Sequence, residues 1–185
     1  MRALHGLLCL LVFGCATAPP GGSALRAGTA KVKITPDGPV MLAGYASRNK
    51  PSDGVAGDLY ARALAIDDGV SRTVIVAADI IGFGPVIGRA IKAEAKARFG
   101  LTEDRLLLIG SHTHSGPVIS ERALVDHPDQ VKARDAYVEG LRGKGLEAIG
   151  GALGSTAPAT LEMTRGEARI GTYRRTTPPG PWIYE

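Results

Sequence analysis

The sequence predicts an α/β domain with a mixed sheet flanked by helices, on three observations. Short β-branched runs alternate with segments of helical period, Asp67-Asp68-Gly69 forms a hairpin turn between two such runs, and Pro85 and Gly100 bracket a segment of helix length. At 185 residues, 44% hydrophobic and 22% charged, the chain has enough apolar material for one sizeable core and too much for a disordered tail.

The first 22 residues are set apart from that domain. Arg2 precedes an apolar run over residues 4–13, broken by His5 and Gly6 and followed by small residues at 14–18. This is the layout of an export signal, and the run is too short to span a bilayer as a helix. The expected location is therefore periplasmic or extracellular. Two processing readings stay open. Val12-Phe13-Gly14-Cys15 resembles a bacterial lipoprotein box, which would anchor the protein through Cys15 with residues 19–22 as its tether, whereas Ala16-Thr17-Ala18 fits ordinary signal peptidase. Cys9 and Cys15 are the two cysteines of the chain, so the domain holds neither a disulfide framework nor a Cys-based zinc ribbon.

The mature chain opens with a strand over residues 27–34, ended by Pro36-Asp37-Gly38-Pro39. Residues 40–57 read as a loop carrying Gly44-Tyr45-Ala46. Residues 59–66 and 73–78 form an antiparallel pair across the Asp67-Asp68-Gly69 turn. A helix starts at Pro85 and runs to Phe99, with Ile87, Ile91 and Ala95 on one face and Gly100 as its stop. Residues 105–110 read as a buried strand that leads into a loop. A second helix spans residues 128–153, weakened near its end by glycines, and residues 160–164 and 168–173 suggest two further strands.

The net charge is +4, but Lys and Arg are scattered among acids rather than gathered in a run. That pattern argues against nucleic-acid binding and is compatible with a membrane surface.

The chemistry concentrates at Ser111-His112-Thr113-His114-Ser115-Gly116-Pro117, directly after a strand. Ligand sites gather at such strand ends in open α/β sheets. In an extended backbone, residues two apart project to the same side, so His112 and His114 are expected to converge, as zinc ligands must. The small neighbours let a ligand approach the backbone closely. A His-x-His-x-Asp-His site of the metallo-β-lactamase kind is excluded because Ser115-Gly116-Pro117 stands where Asp-His is required. An amidohydrolase barrel takes second place, because at least three strands precede the pair. Asp79 reads either as a support for the site or as a turn or cap residue, and Tyr45 either lines a substrate entrance or packs in its loop.

Taken in order, residues 27–36, Gly44-Tyr45-Ala46, residues 59–64, Ile75-Val76-Ala77-Ala78-Asp79 and His112-Thr113-His114-Ser115-Gly116-Pro117 resemble the N-terminal part of the catalytic domain of neutral/alkaline non-lysosomal ceramidases. Residues 26–185 then form an incomplete portion of that domain. The resemblance implies zinc held by two His, a Glu and a Tyr, with His112 as a metal ligand and His114 as a catalytic group facing the substrate. It assigns Arg174 to substrate binding, a role that Tyr45 shares if its loop lines the substrate entrance, and implies ceramide, or a similar amphiphilic N-acyl lipid, as substrate. A family histidine just before residues 59–64 is replaced by Gly57, and the other zinc ligands are expected beyond Glu185. A single ligand does not fix a tetrahedral ion, so the isolated chain is expected to be inactive. Two alternatives stay open: a non-catalytic envelope protein, and a metallohydrolase of another N-acyl amide or ester.

Overall fold

The structure is a computed structural model that describes residues 25–168. The sheet has the order β4-β3-β2-β1-β5. Its strands are β1 (Arg26–Lys33), β2 (Tyr60–Asp67), β3 (Arg72–Ala78), β4 (Leu106–Gly110) and β5 (Ala157–Pro158). All neighbours are antiparallel except β3 and β4, whose parallel pairing is reached by a crossover through helix α1 (Pro85–Phe99). The sheet is therefore mixed, as expected.

Strand alternation sorts the residues by face. Ala61, Ala63 and Ala65 of β2, Val74, Val76 and Ala78 of β3, and Leu106 of β4 are buried. They share one core with Ile87, Ile91 and Ala95 of α1 and with Leu141, Leu146 and Ile149 of α2 (Val131–Gly154). Both helices thus cover the same face. The alanines of β2 leave room for α2 to lie close to the strands.

The small residues of α2 continue this fit rather than ending the helix. A methyl group on Gly150 would press on the Phe99 ring at 3.2 Å, and one on Gly151 would meet the Ala30 Cβ at 3.0 Å. Across the same interface, a Cβ at Gly28 of β1 would lie 2.2 Å from the Ala152 carbonyl oxygen. Here the absence of a side chain sets how closely helix and sheet approach.

Helix α1 begins and ends where expected, with Pro85 in its first turn and Gly100 at φ 69° in the left-handed conformation that stops it. Helix α2 starts later than expected, because Pro128–Gln130 form a 3-10 turn ahead of it. Two strand expectations are corrected. β4 is an edge strand rather than a buried one, with Leu107 43% and Ile109 46% exposed on the face opposite the helices. Residues 160–164 form no strand, and the pairing that follows α2 is the two-residue β5 against Arg26 and Ala27. The strand expected over residues 168–173 lies outside the described residues except for Ala168, which is not in a strand.

Candidate active site

The His-x-His loop leaves the sheet at the carboxyl ends of the parallel strands β3 and β4. After Gly110 the chain continues along the segment that follows β3: the Ser111 N–H donates to the Ala78 carbonyl at 2.9 Å, and the His112 N–H to that of Ile80 at 3.0 Å. The approach is close enough that a Cβ on Gly110 would fall 2.7 Å from the Gly82 Cα.

His112 then turns out of the strand with φ 58°, a left-handed conformation that few non-glycine residues adopt. The expected convergence of the two imidazoles therefore has another cause than strand alternation. The rings do come together, with centroids 5.4 Å apart and planes at 55°, but through this turn rather than through an extended backbone.

The His112 Nδ1 lies 2.9 Å from the Ile81 carbonyl oxygen. A carbonyl only accepts, so Nδ1 carries the proton, and in the neutral ring the Nε2 lone pair is left for a ligand. A backbone carbonyl that fixes the tautomer and orientation of an imidazole is a usual partner of a metal-binding histidine. The exposed His112 side chain therefore suits a metal ligand. Among the described residues no group of three or more His, Cys, Asp or Glu side chains could hold a metal ion.

A second loop packs against the first. The Ala43 N–H donates to the Gly116 carbonyl at 2.9 Å and the Val118 N–H to that of Met41 at 2.8 Å, so residues 41–43 run antiparallel to residues 116–118. This brings Gly44 and Tyr45 onto His114. Gly44 has φ +104°, and a Cβ there would sit 2.2 Å from the His114 Cγ. The Tyr45 ring meets the half-buried His114 ring edge-on, with centroids 4.9 Å apart and planes at 82°. Tyr45 is 59% exposed, so its ring lies at the surface rather than in the core.

Asp79 belongs to the scaffold. Its carboxylate accepts the Tyr60 N–H and the Arg62 guanidinium, both at 2.9 Å, and so ties the end of β3 to β2. A groove of about 510 Å³ runs beside the loop, lined in part by Pro36, Leu42, Val55, Leu59, Ser115 and Pro117. Arg174 lies outside the described residues. Sequence reading missed two partners of the histidines. The Ile81 carbonyl is a backbone group, and Arg48, whose guanidinium donates to the His114 carbonyl, is one of two basic residues in a polar loop, so neither leaves a signal in residue type or spacing.

A model of the N-terminal region of neutral/alkaline non-lysosomal ceramidases matches residues 26–177. The chain belongs to this family. In fold it is similar to the crystal structure of neutral ceramidase from Pseudomonas aeruginosa, with a TM-score of 0.61 at 24% identity over 73% of this chain. A structure described as ceramidase complexed with C2 matches with the same values. The chain spans 22% of the length of each of these ceramidase structures.

Proposed function

We propose that this ceramidase-family chain contributes to the active site of a zinc-dependent amide hydrolase that cleaves ceramide (N-acylsphingosine) to a fatty acid and a sphingoid base. The observation that carries the reading is the Nδ1–H bond of His112 to the Ile81 carbonyl, which leaves Nε2 for zinc beside a second, half-buried imidazole.

When bound, zinc would polarise the amide carbonyl and lower the pKa of water to about 7. His112 would be this segment's contribution to holding the ion. His114 would donate a hydrogen bond to the amide oxygen as negative charge develops there, and its position against Gly44 and Tyr45 limits the reorganisation needed at that moment. Tyr45 would contact the substrate at the entrance. Arg174 would help hold it.

The export signal over residues 1–22 would deliver the enzyme to the periplasm or the exterior, with Cys15 lipidation as a membrane anchor. A mildly basic, exported protein suits substrates met at membrane surfaces. The test compares ceramide with simpler N-acyl amides at equal concentrations in the longest natural form of the protein. The expected result is a clear preference for ceramide, and a preference for the simpler amides would overturn the substrate assignment.

A further inference from the structure

We infer that Arg48 is a positioning residue that clamps the Gly44-Tyr45 loop to the His-x-His loop and so sets the place of His114. A single nitrogen of its guanidinium, Nη1, donates to two carbonyl oxygens, those of Ala43 and His114, which are 71 residues apart in sequence (114 − 43 = 71). The guanidinium carbon also lies 4.9 Å from the centroid of the Tyr45 ring. A turn closed by the Arg48 N–H to the Tyr45 carbonyl, at 3.2 Å, folds the side chain back over that ring.

The backbone pairing between the two segments, from Val118 to Met41 and from Ala43 to Gly116, ends at Ala43. Beyond it lie Gly44, which offers no side chain, and the ring pair of Tyr45 and His114. Arg48 spans this stretch from both sides, donating to one carbonyl of each loop while its guanidinium lies over the ring that touches His114. Charge-assisted bonds of this kind are stronger than neutral ones and specific in direction. Tyr45 and His114 therefore move as a unit with Arg48, at the spacing from His112 that the fold sets.

The consequence for catalysis rests on the amide-hydrolase reading, but the placement itself is read without turnover. The nuclear Overhauser contact between the Tyr45 and His114 rings is measured in the 185-residue chain, with the backbone contact of the paired core residues Ala63 and Val76 as reference. Arg48→Met is expected to abolish the ring contact and keep the core contact. Arg48→Lys is expected to retain the ring contact, because one ammonium can donate to both carbonyls. Persistence of the ring contact in Arg48→Met would overturn the clamp. Loss of the core contact together with it would do the same, since Arg48 would then support the whole fold. A Lys variant that loses the ring contact as fully as the Met variant would contradict bridging by a single nitrogen. Absence of ceramide cleavage in the longest natural form, with the ring contact present and sensitive to Arg48→Met, would count against the hydrolase reading and leave the clamp standing.

Discussion

His112 donates its Nδ1 proton to the carbonyl of Ile81, 2.9 Å away on the neighbouring strand exit, and does so from a left-handed backbone conformation. The residue occupies a conformation that glycine adopts at little cost, and the fold holds it there with its ring directed by one hydrogen bond. The backbone of the turn alone would be met by glycine, without the cost of a left-handed histidine.

Replacement by glycine separates the two demands. His112→Gly relieves the positive φ and loses one hydrogen bond, so its stability is expected within about 1 kcal/mol of the parent in urea unfolding. His112→Ala keeps the strained conformation and loses the same bond, so it is expected to be the less stable of the two.

Gly44→Ala places a methyl group into the His114 ring at a residue whose φ already disfavours side chains. The ring must move, and the expected cost is about 1–3 kcal/mol, with loss of the edge-on contact to Tyr45. Denaturant unfolding and the ring contact report the two effects separately.

Gly28→Ala tests the helix–sheet spacing. The added Cβ meets backbone atoms of Ala152, Ser155 and Thr156, none of which can rotate away, so β1 and the end of α2 must separate. A loss of about 1–3 kcal/mol is expected, measured by urea unfolding. A variant as stable as the parent would mean that the two backbones are less close than described.

Thr35 and Asp58 join the end of β1 to the start of β2. The buried Thr35 hydroxyl accepts the Leu59 N–H and donates to the Asp58 carboxylate, both at 2.9 Å. Thr35→Val strands that N–H at an expected cost of about 1–3 kcal/mol. Lys33 first and Thr35 second hold the Asp58 carboxyl below its ordinary value of 3.8. A depressed folded pKa stabilises the fold above the unfolded pKa, and this contribution fades as the pH falls through the folded value. The stability difference between parent and Asp58→Asn is therefore expected to be largest near neutral pH and to shrink below about pH 4.

Much of this fold was legible because its signals are local. Pro85 and Gly100 bracket α1, and Asp67-Asp68-Gly69 marks the hairpin, through backbone preferences that need no tertiary context. The position of β4 was not legible. Four apolar residues in a row suggest burial on both faces, yet the strand lies at the sheet edge with one face open. At the site, His112 and His114 were expected to converge from an extended backbone, whereas a left-handed turn at His112, which leaves no local signal, brings them together. Arg48 reaches the site by closing a contact across 66 residues, a distance that residue type and spacing do not encode.

The most direct test of the central claim is fatty-acid release from ceramide by the longest natural form of the protein, measured with its zinc content, for the parent and for His112→Ala. The account predicts zinc-dependent cleavage in the parent and a fall of more than about 100-fold in the variant, with zinc lost. A His112→Ala protein that keeps both its zinc and its turnover would contradict it.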